Sequence, residues 1–493
     1  MTKKVKQWDR FELAVENDRH YRDAYRDVAL TVTVTKPNGE LQDFWGFYDG
    51  GSTWRFRYMP DQLGTWSYRG SFSDGSVRVS GEFECIESDI PGMIGAYGAN
   101  PAWFGYRGGA ATLLRSFHVG DRYFAANWPD SERAKFLDWA GTQGYDTLSI
   151  ASFLLNRNSE GRGAGWQTPA LWPLNPAEFQ RLETMLDELA RRRFVVFPFA
   201  GFFGRTSDFP LARGDQELFI RYVLARLGPY WNLLFNVAGP EPLLRPDDFK
   251  CIMMWDDLER LGRMIKTLDP FEHAITVHNR TGDDLFRDED WIDFGTIQGP
   301  KTTDQVKLGE RHALNHHREK PMYSQETLWS GNKLHPDYSD DDVRKNAFVM
   351  LMSAAAINFS DNGPPAGEGK GLSSDGFSGT LALDDRYQDR HDIVRRAWDF
   401  FETTSYWELT PRSDLVSHGW CLADEGKRYL VYLTESKPVD VLVDTTDGRE
   451  YAVTWTDAVD TAKTTDGSTT SDGRGLTPPA GAGDCFVELV ARC

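Results

Sequence analysis

Two glutamates stand at the ends of short apolar runs, a setting that points to paired-carboxylate chemistry. Glu241 lies in FNVAGPEP, residues 235–242, where the run YWNLLFNVAG ends in a Gly-Pro turn. Glu326 lies in YSQETLW, residues 323–329. A carboxylate in such a stretch must sit at an opening or be buried and paired, because an isolated ionised carboxyl is costly to desolvate. Two carboxyls facing one substrate are what cleavage of a glycosidic bond requires. One protonates the leaving oxygen, and the other attacks or activates water. The acid must stay protonated near neutral pH, held there by burial or by a like charge. The apolar run before Pro240 supplies such burial. A cap, or a salt bridge to Arg245, is the plain structural alternative for Glu241.

The elements that must position this pair come from the alternation of the chain between about 100 and 405. Apolar runs occur at 122–128, 145–153, 194–202, 230–239, 273–279, 294–299, 321–327 and 355–362. Amphipathic stretches such as NPAEFQRLETMLDELARRR and DDLERLGRMIKTL lie between many of them, the first opening with Asn175 as a cap and Pro176 behind it. Eight runs alternating with helices predict a (β/α)8 TIM barrel. A doubly wound open sheet is the competing fold, and no Gly-x-Gly-x-x-Gly follows the first run to favour it. Residues 7 to about 88 alternate with period two between Pro-Asn-Gly and Asp-Gly-Gly turns, which predicts a β-sandwich. The tail beyond about 410 reads as a small antiparallel β domain, taken as a second sandwich. The expected layout is a multi-domain α/β chain with an N-terminal β-sandwich (1–92), a barrel (93–408) and a C-terminal β domain (409–493).

In a barrel the chemistry sits at the C-terminal ends of the strands. Those ends place Glu241 after the fourth run and Glu326 after the seventh, on opposite sides of one mouth. The same ends offer Asn156, His278, Asn279 and Gln298 as hydroxyl binders. Trp128 and Trp329, with Phe202 and Phe203, are candidates for stacking on a sugar ring, although any of them could equally be core. Asp361, in INFSDNGPP, is a further strand-end carboxylate and the reserve acid, with Asp130 behind it. His312, His316 and His317 have a metal-like spacing but charged flanks, so a solvated helix face is expected. The Gly-rich loop at 363–376 lacks phosphate-loop spacing and is read as a lid over the mouth.

Composition narrows the class. The net charge of −19 disfavours nucleic acid and anionic membrane. Aromatic content of 13% suits either β packing or a carbohydrate cleft. The five cysteines are scattered, which argues for free thiols and against a disulfide framework or a zinc site. The N-terminus carries no apolar signal region, so a cytoplasmic location is expected. No cofactor is expected, and the accessory β domains offer surfaces for homo-oligomer formation.

The sequence resembles the apiosidase-like (β/α)8 glycoside hydrolases, within the large retaining clan that carries its acid/base after strand four and its nucleophile after strand seven. The segment GFYDG to GTWSY, residues 46–68, is the most specific part of the likeness. The N-terminal part resembles that family's sandwich domain of unknown function. The tail resembles the β domain often labelled collagen-binding. The resemblance implies that Glu241 is the acid/base, that Glu326 is the nucleophile, and that the substrate is a small glycoside or oligosaccharide. One departure stands out. The clan has Asn immediately before the acid/base to contact the sugar 2-hydroxyl, whereas this chain has Pro240. Either Asn236 or another group makes that contact, or the substrate differs at that hydroxyl. A glycosyl-transferring or cyclising enzyme, a lyase on the same barrel, and a non-catalytic carbohydrate-binding protein are the alternatives.

Overall fold

A computed structural model describes the chain except for residues 1, 121–122, 124–129, 151–173, 204–209, 211, 240–253, 280–281, 283, 333, 362–387, 446–447 and 493. Glu241, Trp128, Asn156 and the expected lid loop therefore lie outside the described residues.

The N-terminal strands are β1 (Lys3–Lys6), β2 (Phe11–Glu16), β3 (Leu30–Thr35), β4 (Leu41–Trp45), β5 (Phe47–Tyr48), β6 (Thr53–Tyr58), β7 (Gly64–Phe72) and β8 (Arg78–Ile86). They form two sheets, ordered β1-β8-β7-β3-β4 and β2-β6-β5. LTVTVT in β3 shows why. Its Leu30, Val32 and Val34 are buried while the threonines between them are partly or fully exposed, as a pleated strand with one wet face requires. The two sheets meet through rings such as Phe11 on Phe83, stacked at 4.3 Å. Three short strands follow, β9 (Ile94–Ala96), β10 (Phe104–Tyr106) and β11 (Ala111–Thr112), paired antiparallel.

The middle of the chain alternates as expected. Its strands are β12 (Ser116–Gly120), β13 (Thr147–Ile150), β14 (Val195–Pro198), β15 (Phe235–Asn236), β16 (Ile275–Thr276), β17 (Gly295–Gln298), β18 (Met322–Ser330) and β19 (Ala355–Asp361). The described helices among and after them are α1 (Asp130–Thr142), α2 (Pro176–Arg191), α3 (Arg213–Leu227), α4 (Trp255–Leu268), α5 (Gln305–Asn315), α6 (Asp340–Met352) and α7 (Gln388–Thr403). Asn175 caps α2 as the sequence suggests, its side chain accepting from Ala177 N at 3.1 Å. Six strands form one parallel sheet, β14-β13-β12-β19-β18-β17, and β15 pairs with β16. This is a parallel half-barrel sheet within a mixed α/β, multi-domain chain. Backbone bonds continue past its edges. Leu234 N reaches Val196 O at 3.0 Å, and Asp293 N reaches Ile275 O at 2.9 Å.

One strand is not where the sequence places it. The first parallel strand is SFHVG, β12, and not the run at 122–128; Tyr123 sits in a turn and the rest of that run lies outside the described residues. Ser116 pairs with Thr147 on one side and with Asn358 on the other. A strand flanked on both edges can be short and carry Ser and His, because its neighbours supply the partners. The aromatic run nearby is simply the louder local signal.

The tail forms one six-stranded sheet from β20 (Thr410–Pro411), β21 (Trp420–Asp424), β22 (Arg428–Leu433), β23 (Tyr451–Asp457), β24 (Thr464–Asp466) and β25 (Cys485–Ala491), ordered β20-β21-β22-β25-β23-β24. RYLVYL in β22 is nearly all buried because both faces are covered. Leu430 and Tyr432 join the core of the middle segment, with Tyr432 5.3 Å from Phe348 of α6, while Tyr429, Val431 and Leu433 join a second core with Val439, Val441 and Leu476.

The N-terminal sheets are tied to α2 and α3 by a buried charge network. Arg226 of α3 is fully buried; it donates to Glu183 of α2 at 2.6 Å and to Asp49 at 2.8 Å. Arg57 of β6 donates to the same Glu183 at 3.0 Å and to Glu12 of β2 at 2.7 Å. Arg55 of β6 joins Glu12 and Asp49 at 2.6 and 2.5 Å. Burial pushes the Asp49 carboxyl up, but Arg55 and Arg226 outweigh it and hold it below its usual value. The GFYDG to GTWSY segment that gives the resemblance its specificity is thus in large part a joint. Among the described residues no helix is long and apolar enough to cross a membrane. Cys85, Cys421 and Cys485 are buried and free.

Candidate active site

The C-terminal ends of the parallel strands converge on Glu326. Its placement depends on an irregularity in β18. The register against β19 slips between Ser324, opposite Ile357, and Leu328, opposite Phe359, so the strand bulges around Glu326. Glu326 adopts a left-handed backbone with φ of 50°, a conformation that costs a non-glycine residue roughly 1–3 kcal/mol and clusters at functional sites. Bulges re-aim side chains in this way. Local bonds hold this one. Ser324 Oγ donates to Thr327 Oγ1 at 2.7 Å, Gly299 N donates to Thr327 Oγ1 at 3.1 Å, and Tyr338 OH donates to Thr327 O at 3.2 Å.

Glu326 is 4% exposed, and Gln298 at the end of β17 donates from Nε2 to its Oε2. Burial pushes the Glu326 carboxyl up. His118, Lys301 and His278, together with the Gln298 bond, outweigh that and hold it below the usual carboxylate value. A buried carboxylate kept ionised in this way is chemically able to attack an electrophilic carbon or to take a proton.

His278 is fully buried beyond β16. Its Nδ1 lies 2.9 Å from the Phe199 carbonyl, so Nδ1 carries the proton and donates, leaving Nε2 as an acceptor. That Nε2 has no hydrogen-bond partner among the described residues. Burial lowers the pKa of His278, against the pull of Glu326, and keeps the ring neutral. Asn236 of β15 fixes this corner by accepting from His278 N at 3.0 Å and donating to Phe199 O at 2.7 Å. Gly239 explains the Gly of the Gly-Pro turn. A Cβ there would stand 2.4 Å from His278 Cβ and 2.5 Å from Phe199 O.

His118 of β12 packs between Phe199, at 4.8 Å, and Trp329, at 4.6 Å. Gln325 Nε2 donates to its Nδ1 at 3.2 Å. Beneath lies a polar layer in which Gln325 Oε1 accepts from Ser149 Oγ at 3.0 Å and from Asn358 Nδ2 at 2.7 Å. His335, in the turn after β18, lies 6.0 Å from Trp329, and burial pushes its pKa down to about 3.

Of the residues singled out in the sequence, Glu326, Gln298, His278 and Trp329 are brought together. Asn279 is engaged elsewhere. Its Nδ2 donates to Val277 O at 2.9 Å, Asp284 Oδ1 at 3.0 Å and Thr296 O at 3.2 Å, while its Oδ1 accepts from Leu285 N at 3.2 Å. Asp361 turns toward α7 and pairs with His391 Nε2, whose Nδ1 meets Tyr145 OH at 2.7 Å. His312 corrects the solvated-face expectation. It is fully buried, with Nδ1 on Leu308 O at 2.9 Å and Nε2 on Ser324 Oγ at 3.1 Å, so it props the strand that carries Glu326. His118, Lys301 and His335 escape the sequence reading. His118 is lost with the misplaced first strand. Lys301 had a signal, since Gly299-Pro300-Lys301 repeats the Gly-Pro-charge pattern of Gly239-Pro240-Glu241. His335 had none. Among the described residues no group of His, Cys, Asp and Glu side chains is placed to hold a metal ion.

The architecture places the chain among folds used by glycoside hydrolases. A provisionally assigned glycoside hydrolase from Bacteroides vulgatus ATCC 8482 aligns over 100% of both chains with a TM-score of 0.74 at 19% identity. A glycoside hydrolase family 5 structure from the same organism covers 82% of this chain and 95% of its own, with a TM-score of 0.57 at 14% identity. At such identities the likeness is one of fold. Comparison with curated proteins finds no match. Residues 121–358 match the apiosidase-like catalytic domain, and residues 4–73 match DUF5060, a domain of unknown function. The middle of the chain is thus similar to the apiosidase-like catalytic domain, and the stretch ahead of it to DUF5060.

Proposed function

We propose that this protein is a retaining glycoside hydrolase acting on a small glycoside or oligosaccharide, with Glu326 as nucleophile and Glu241 as acid/base. The observation that carries the reading is the buried Glu326, aimed by a strand bulge, kept ionised by its neighbours and oriented by Gln298. In the first step a Glu326 oxygen bonds to the anomeric carbon as the glycosidic C–O bond breaks, and Glu241 gives its proton to the departing oxygen. In the second step Glu241 takes a proton from water, the resulting hydroxide attacks the anomeric carbon, and Glu326 leaves as a carboxylate. The Nε2 of His278 accepts from a sugar hydroxyl, and the Trp329 and His118 rings form a wall for the sugar. In this reading β12 to β19 close as one (β/α)8 barrel, which the backbone bonds at Val196 and Ile275 support, with the N-terminal sheets as a β-sandwich beside it.

The test is hydrolysis of a panel of aryl glycosides, furanosides included, by wild type, Glu241→Gln and Glu326→Gln. Proton NMR of the first-formed product reads the anomer. Turnover with retention, lost in both variants, is expected. Inversion, or a fully active Glu326→Gln, overturns the assignment.

A further inference from the structure

We propose that the outer face of β3, β7 and β8 is a second, non-catalytic binding site, one that takes an acidic glycan through its carboxylates. This goes beyond the reaction assigned to the barrel and stands on different residues. The register builds a grid. Thr33 lies opposite Arg69, which lies opposite Ser80; Thr31 lies opposite Ser71, which lies opposite Arg78. Each row of three therefore presents one guanidinium and two hydroxyls, and the arginines are diagonal neighbours on adjacent strands. An open, shallow depression of about 500 Å³ lies over the face, lined by these six residues with Gly70 and Val79.

Charge makes the occupant specific. The chain carries 74 acidic and 55 basic residues, and at the joint with the barrel Arg55, Arg57 and Arg226 are each held by carboxylates. Among the described residues Arg69 and Arg78 have no ion pair or hydrogen bond. Of the acids on the same face, Asp43 accepts from Thr33 Oγ1 at 2.6 Å, Glu84, opposite Thr65, pairs with Lys4 at 3.6 Å, and Glu82 stands opposite Ser67 in the next row. Two unpaired guanidiniums suit carboxylates, which they grip with two parallel bonds. The flanking hydroxyls suit sugar hydroxyls. A chain of net charge −19 repels a polyanion in general, so capture must come from this patch and not from the overall field.

The test is affinity electrophoresis of the full chain in gels containing alginate, a uronate polymer, with dextran as a neutral polymer and single-stranded DNA as a charge-only polyanion. Wild type is expected to be slowed by alginate alone, and the effect to fade with added salt. Arg69→Ala/Arg78→Ala is expected to bind about tenfold or more weakly, with hydrolysis of any aryl glycoside the wild type cleaves left unchanged. Failure of alginate to slow the wild type overturns the proposal, as does equal slowing of the double variant or equal slowing by DNA. Loss of hydrolysis in the double variant also overturns it. The gel result is read whether or not a substrate has been found, so it stands apart from the fate of the barrel assignment.

Discussion

The joint between the N-terminal sheets and helices α2 and α3 and the site around Glu326 both bury charge, and they do it in opposite ways. At the joint every buried charge meets its opposite. Arg226, Arg57 and Arg55 are interleaved with Glu183, Asp49 and Glu12, from a core where Arg226 is 0% exposed to a rim where Arg55 is 30% exposed. At the site a single carboxylate faces two imidazoles, a lysine and one amide, and His278 keeps an acceptor without a partner among the described residues. Satisfied charges build structure, and removing one partner leaves the other uncompensated. Unsatisfied groups weaken a fold and are kept where chemistry needs them.

That contrast can be broken by experiment. Arg226→Met should cost about 3–5 kcal/mol of stability, since it leaves Glu183 and Asp49 short of a partner in a buried site. A chemical-denaturation curve measures this, and a loss below about 1 kcal/mol would remove the distinction between the regions. Glu326→Gln should do the reverse, lowering turnover about a hundredfold or more while costing less stability than Arg226→Met, since only the neighbours' modest pull on the carboxylate is lost. A variant that melts early would make Glu326 a structural group. Gly239→Ala should cost about 1–3 kcal/mol, because the new Cβ collides with His278 and the Phe199 carbonyl; activity should fall with it if His278 is displaced. Gln298→Leu sharpens the comparison most finely. Losing one bond to a charged group should slow turnover about tenfold. The Glu326 pKa, now held down by its neighbours, should rise. The proposed nucleophile must be ionised, so the acid limb of the pH–rate profile should move to higher pH. A limb that stays put would show that Gln298 does not hold the carboxylate.

The resemblance segment illustrates how function and fold mix in a sequence pattern. GFYDG and WRFRY look like a signature, and the structure shows Asp49, Arg55 and Arg57 spending it on the joint. α2 leads into β14 and α3 into β15, so the joint braces the two helices that feed Phe199, Asn236 and the stretch toward Glu241.

Local pattern determined much of this protein. Six of the eight parallel strands fall inside the apolar runs read from the sequence and a seventh, β18, overlaps its run and extends past it, because a strand buried on both faces is largely apolar along its length. The Asn175-Pro176 start of α2, the period-two threonines of β3 and the position of Glu326 near the end of the seventh run were legible for the same reason, since cap and period are written within a few residues. Tertiary structure alone decided which strand comes first, since Ser116–Gly120 is defined by partners 31 and 242 residues away. It also decided that Asn279 closes its own loop, that Asp361 turns to His391, that His312 is buried, and that His118, Lys301 and His335 gather around Glu326. The types of these residues do not say so. Where a polar side chain finds its partner is set by how distant segments close on one another, and that closure is not encoded in the neighbours along the chain.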